Sequence, residues 1–131
     1  MKISGDLKLE RDNPQSPGKL VRNCSRKLSG GSSIIIFPEG TRTPDGEIKR
    51  FKEGAFRIAQ LAKVPILPLI LDGTREVLPK TGILMKASSK FRLRVLDEIP
   101  YESFKDEDTR QLADSLNKLM SEELLRMRKE N

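Results

Sequence analysis

The sequence predicts an α/β domain with a mixed, largely parallel sheet and covering helices, and three observations lead there. Ile34-Ile35-Ile36-Phe37 is a short run apolar on both faces, as in a parallel strand covered on each side. A second apolar run, Ile66–Leu71, is bounded by the same proline and glycine punctuation. Between and after these runs lie segments of helical period, so strands and helices alternate. The chain has 131 residues, room for one core and not for two, and residues 1–131 read as part of a single domain. A hydrophobic content of 36% against 34% charged residues suits a small domain with much solvated surface.

The elements follow in order. Lys8–Glu10 reads as a short strand. Ser16 is placed to cap a helix with Pro17 at its first position, and Gly30-Gly31 ends it. Along that helix Leu20, Val21, Cys24 and Leu28 share one face, which gives the lone cysteine a packing role. Ser33–Phe37 is the next strand. The loop from Pro38 to Arg50 contains the turn signal Pro44-Asp45-Gly46 and leads to a helix from about Lys52 to Lys63. Val64-Pro65 enters a strand at Leu67–Leu71, and Gly73, Pro79 and Gly82 break any regular pattern in the region from Asp72 to Ser89. Phe91-Arg92-Leu93-Arg94-Val95 alternates apolar and basic residues, the mark of a half-exposed strand near a sheet edge. The last helix is the clearest. Asp108 caps it with Gln111 three residues on, and Leu112, Leu116, Leu119, Met120 and Leu124 form one apolar face over Thr109–Arg128, about 30 Å of helix.

Several classes of function are excluded by composition. With one cysteine and no histidine there is no internal disulfide and no zinc site. No apolar run reaches the ~18 residues needed to span a bilayer, and Met1 is followed by a mixed polar stretch without the pattern of a signal peptide. The net charge of +6 is uneven: residues 1–100 carry 19 Lys and Arg against 11 Asp and Glu, whereas 101–131 carry 6 against 8. Such a basic surplus favours nucleic acid, anionic lipid head groups or a phosphorylated substrate. Nucleic acid is the weakest of these, because the basic residues are dispersed, aromatics are few and no nucleic-acid-binding motif is present.

Chemistry concentrates where the first apolar run ends. Pro38 has no N–H to give a neighbouring strand, so the chain leaves the sheet at its carboxyl edge, where ligands of open α/β sheets bind. Glu39-Gly40-Thr41-Arg42 then brings a carboxylate, a backbone open to close approach, a hydroxyl and a guanidinium suited to phosphate or carboxylate. A polar loop with a local Glu39–Arg42 ion pair is the plainer alternative.

Phe37-Pro38-Glu39-Gly40-Thr41-Arg42 resembles the third signature block of the glycerolipid acyltransferases, the family that includes lysophosphatidic acid acyltransferase. Gly5-Asp6-Leu7-Lys8-Leu9-Glu10-Arg11 upstream is similar to the second block, and Val64-Pro65-Ile66-Leu67-Pro68-Leu69 downstream to the fourth. The linking segment from Gly46 to Phe56 is similar to the family's usual continuation, so the likeness covers about Ser4 to Gly73. It implies a glycerol-3-phosphate acyltransferase-like fold.

The resemblance also implies roles. A fatty acyl group passes from acyl-CoA or acyl carrier protein, with no further cofactor and no metal, to the free hydroxyl of lysophosphatidic acid, giving phosphatidic acid. Arg11, Glu39, Gly40, Thr41 and Arg42 are the residues implied to hold the acceptor, with Arg11 and Arg42 on its phosphate. Each such charge-assisted hydrogen bond is worth roughly 1.5–3 kcal/mol before desolvation. Glu39 would repel phosphate, so it serves a glycerol hydroxyl or orients Arg42. From their place flanking Phe51 in the connecting loop, Lys49 and Lys52 read either as second-rank phosphate contacts or as ordinary solvated side chains. The Val64–Leu69 block shapes the supporting strand.

One departure from the family is plain. Its first block, His-x-x-x-x-Asp, supplies the base that takes the acceptor proton, and this chain contains no histidine. Since Gly5 already belongs to the second block, the expectation is a fold incomplete at its amino terminus, with no catalytic residue of its own and no activity when isolated. The intact protein is then expected on the cytoplasmic face of a membrane, touching its surface, with this portion soluble. A noncatalytic phosphate or lipid-head-group binding module is the alternative function. A carboxyl-terminal piece whose independent property is folding is a second.

Overall fold

The computed structural model describes residues 16–41, 43, 45–73 and 91–130. The strand expected at Lys8–Glu10, both arginines expected on phosphate (Arg11 and Arg42) and most of the loose region after Asp72 lie outside the described residues.

Helix α1 spans Ser16–Ser29, as its proline start and double-glycine end predict. Its last turn closes through Gly31, at φ +81°, with the Ser32 amide donating to the Lys27 carbonyl at 3.1 Å. Cys24 is buried at 2% exposure, which agrees with its packing role. Helix α2 covers Gly54–Ala62 and packs against α1. It starts two residues later than expected because the Lys52 amide donates to the Pro38 carbonyl at 2.9 Å and so belongs to the preceding loop. Lys63 ends α2 in the left-handed region at φ 54°.

Strands β1 (Leu69–Asp72) and β2 (Arg92–Val95) pair antiparallel, with Leu69 opposite Val95 and Asp72 opposite Arg92. The described residues therefore hold a two-stranded antiparallel sheet rather than the largely parallel one expected. Strand β1 also begins later than Leu67. Pro65 and Pro68 have no N–H for a ladder, so pairing before Leu69 is reduced to the bridge between Ile66 and Ile99. Ser33–Phe37 forms no ladder among the described residues. Ile35 and Phe37 stand 75% and 69% exposed, and an extended segment becomes a strand only where a neighbour takes its backbone groups.

Helix α3 (Tyr101–Phe104) was not expected; a single turn is too short to show a period. It drives Phe104 to 1% exposure, and Gln60 of α2 ties its end down by donating to the Phe104 carbonyl at 3.0 Å and the Glu107 carbonyl at 2.8 Å. Helix α4 spans Thr109–Lys129, capped by the Asp108 carboxylate, which accepts from the Arg110 and Gln111 amides. Its buried face is Leu112, Ala113, Leu116, Leu124 and Met127; Leu119, expected on it, is 40% exposed.

Helix α4 joins two clusters. Phe51, Phe56, Ala59 and Phe104 meet its first half, and Ile70 of β1 meets Leu124 and Met127 of its second, with Ile48 and Met120 touching both. One sheet face thus rests on α4. On the other face Leu69, Leu71, Leu93 and Val95 lie between 37% and 56% exposed.

Candidate functional site

After Phe37 the chain turns sharply. The Gly40 amide donates to the Phe37 carbonyl at 3.1 Å, and Gly40 takes φ +68°, a conformation that L side chains resist. The turn leaves Glu39 and Gly40 half-buried, with Thr41 exposed directly after them.

The loop then folds back on this turn. Asp45 accepts from the Glu47 amide at 3.1 Å and Gly46 takes φ +78°, which reverses the chain where the turn signal predicts. On the return, the Lys49 amide donates to Oε2 of Glu39 at 2.9 Å. Three residues later the Lys52 amide reaches the Pro38 carbonyl. The Lys52 side chain lies against Gly40 so closely that a Cβ there would stand 2.7 Å from its Nζ and 3.0 Å from its Cε. Gly40 is therefore needed twice, for its dihedral and for the space that the lysine stem fills.

Glu39, Gly40, Lys49 and Lys52 are thus gathered at one turn, with Thr41 next in the chain, while Arg11 and Arg42 lie outside the described residues. The Glu39 carboxylate is engaged by a backbone amide. That interaction orients the carboxylate through Oε2. Chemically the turn offers one cation beside a side-chain-free stretch of backbone and one fixed acceptor, a pairing suited to a ligand with both an anionic group and a hydroxyl.

Two further residues hold this loop, both from α4. Asn117 Nδ2 donates to the Lys49 carbonyl at 2.8 Å, and Arg128 donates to the Gly46 carbonyl and to Oε1 of Glu47, each at 2.7 Å. The same guanidinium meets Oδ1 of Asp72 at 3.0 Å, and Arg92 reaches Oδ2 of that carboxylate at 2.8 Å. The Arg128 hydrogen bond holds the Asp72 carboxyl below its ordinary value against the opposing effect of burial, and Arg92 adds to the lowering. Asp72 in turn raises Arg128. Sequence reading passed over Asn117 and Arg128 because each sits on the polar side of an amphipathic pattern with no local sign of a partner. Among the described residues no group of acidic or cysteine side chains is arranged to hold a metal ion, and no helix is long and apolar enough to cross a membrane.

Comparison with known proteins covers the stretch that holds the signature blocks. The family model described as acyltransferase matches residues 1–72. A chloroplastic 1-acyl-sn-glycerol-3-phosphate acyltransferase of Brassica napus is 35% identical over 124 residues, covering 89% of this chain and 35% of its own length. A Caenorhabditis elegans protein described as a putative 1-acyl-sn-glycerol-3-phosphate acyltransferase is 31% identical, over 90% of this chain and 42% of its own. The crystal structure of the 1-acyl-sn-glycerophosphate acyltransferase PlsC from Thermotoga maritima superposes with a TM-score of 0.67 at 34% identity, covering 81% of this chain and 44% of that one. This chain thus spans less than half the length of each of these relatives. The helices and small sheet fit the α/β acyltransferase fold of that structure, and with the family model matched over more than half of its residues the chain belongs to the acyltransferase family.

Proposed function

We propose that this chain supplies the acceptor-holding part of a 1-acyl-sn-glycerol-3-phosphate acyltransferase. The reaction would move a fatty acyl group from the thioester of acyl-CoA or acyl carrier protein to the free hydroxyl of lysophosphatidic acid, giving phosphatidic acid and free thiol. The observation that carries the reading is the turn at Gly40 in the third signature block, against which the exposed Lys52 side chain lies and beside which the Lys49 amide orients the Glu39 carboxylate. Lys52, with Arg42 and Arg11, takes the phosphate. Glu39, held by the Lys49 amide, accepts from a glycerol hydroxyl or orients Arg42. Thr41 adds a hydroxyl and Lys49 a second charge at the rim. Holding the acceptor in line is their contribution to rate, and the developing oxyanion and the leaving proton need groups from elsewhere. The acyl donor is a substrate, and no metal or other cofactor is required. The whole enzyme would work at the cytoplasmic face of a membrane, with Ile34–Phe37 entering a mixed, largely parallel sheet.

With no histidine to act as base, the isolated chain is expected to transfer no acyl group to lysophosphatidic acid. Measured turnover would refute that. In titrations with glycerol 3-phosphate, Arg42→Ala and Lys52→Ala should each weaken binding about tenfold or more, the loss of one charge-assisted hydrogen bond; equal binding by variant and parent counts against the site. The basic surplus of residues 1–100 also suits a second reading, a noncatalytic module for phosphate or a lipid head group. An in-frame His-x-x-x-x-Asp in the genomic sequence some tens of residues before Gly5 would reject it.

A further inference from the structure

The segment carrying Lys49 is laid along α4 in antiparallel order. Gly46 and Glu47 meet Arg128, Ile48 packs against both core clusters, Lys49 meets Asn117, and Arg50 approaches Asp114 at 3.9 Å. Rising residue numbers in the loop thus meet falling ones on the helix. Asn117 and Arg128 are about three helical turns apart, so both fall on one stripe of α4. The Arg50–Asp114 pair is more than half exposed on each side and contributes little. The other two contacts are of another kind. Asn117 ties the carbonyl of Lys49 itself, the residue whose amide binds the Glu39 carboxylate. Arg128 is anchored on Asp72, whose carboxylate it shares with Arg92, and from that base it grips the reversal at Gly46 by two hydrogen bonds.

We infer that Asn117 and Arg128, which lie outside the region matched by the family model, are positioning residues: through the 46–49 segment they fix where the Glu39 carboxylate sits. Their side-chain hydrogen bonds among the described residues go to Lys49, Gly46, Glu47 and Asp72, and not to the turn at Gly40. The connection runs from helix side chain to loop backbone, and from the Lys49 amide to Glu39. Asn117 has the stricter role, because its amide nitrogen donates to a carbonyl, and a residue without a donor leaves that carbonyl to solvent. Arg128 carries the charge that makes the clamp depend on Asp72. That Glu39 then serves an acceptor substrate rests on the function proposed above; that α4 places it does not.

Amide hydrogen exchange in the full chain tests this without any ligand. Asn117→Ala should speed exchange of the Lys49 amide roughly tenfold or more while the Leu116 amide on the same helix and the thermal midpoint stay as in the parent. Arg128→Lys, which keeps the charge and loses the forked donor geometry, should speed Lys49 exchange as well. Unchanged Lys49 exchange in Asn117→Ala overturns the inference, as does acceleration spread equally over α4. Titration with glycerol 3-phosphate separates the two ideas. A parent that does not bind it refutes the proposed function, and the exchange result still decides whether α4 positions Glu39.

Discussion

Gly40 and Lys52 share one space: a Cβ on the glycine would stand 2.7 Å from the lysine Nζ. Gly40→Ala therefore has two effects that can be measured apart. The backbone cost follows from φ +68° and is roughly 1–2 kcal/mol, visible as a lower urea midpoint. The steric cost is small, since the end of a lysine moves easily, but moving it takes the ammonium off the turn. Glycerol 3-phosphate binding should fall several-fold beyond what the loss of stability explains. A variant that is destabilised and still binds as the parent does would show that Lys52 is not a ligand contact.

What could be read from the chain in advance divides along the range of the interactions. Helix α1 ends at Gly30-Gly31 and α4 starts at Asp108 because the signals are local, one dihedral or one cap in each case. The turn at Glu39-Gly40 was equally legible, since Pro38 breaks the apolar run just before it. The pairing partner of the second apolar run was not. An apolar run records that both faces are covered without recording which neighbour pairs with it, and β1 pairs antiparallel with β2 across the intervening residues 73–91. Asn117 and Arg128 were hidden for a similar reason: their loop partners are 68 and about 82 residues away, and on an amphipathic helix they look like any solvated polar side chain.

Asp72 should make part of the stability depend on acid. Its folded carboxyl lies below the ordinary value of 3.8 because Arg128, and then Arg92, favour the charged form. The contribution is then fully present above the unfolded value and is lost as the pH falls through the lower folded one. Asp72→Asn should cost roughly 1.5–3 kcal/mol at neutral pH, and its difference from the parent should shrink below about pH 4. Denaturation curves at neutral pH and at pH 3 check this; a difference that does not change with pH would exclude the ion pairs as its source.

Cys24 should react slowly. It is 2% exposed, and burial pushes its thiol up while Lys27 pulls it down less strongly. Few thiolates form at pH 8 and a reagent reaches them only when α1 opens. Labelling of the folded chain by a chromogenic disulfide should be at least about a hundredfold slower than in urea. A folded rate close to that in urea would mean that α1 leaves α2 readily.

Helix α4 carries both core clusters and the clamp on the loop, so the cap at its start should matter to all three. The Asp108 carboxylate satisfies the Arg110 amide at 3.0 Å and the Gln111 amide at 3.1 Å through a single oxygen. Asp108→Ala leaves both donors to solvent and should lower stability by about 1 kcal/mol. Asp108→Asn keeps an acceptor and loses only the charge at the positive end of the helix dipole, a cost of roughly 0.3–1 kcal/mol. The order parent, Asn, Ala in thermal midpoint is therefore expected, with the Asn variant converging on the parent in high salt as the dipole interaction is screened. If the two variants lost stability equally at all salt concentrations, hydrogen bonding by the cap would not be what starts this helix.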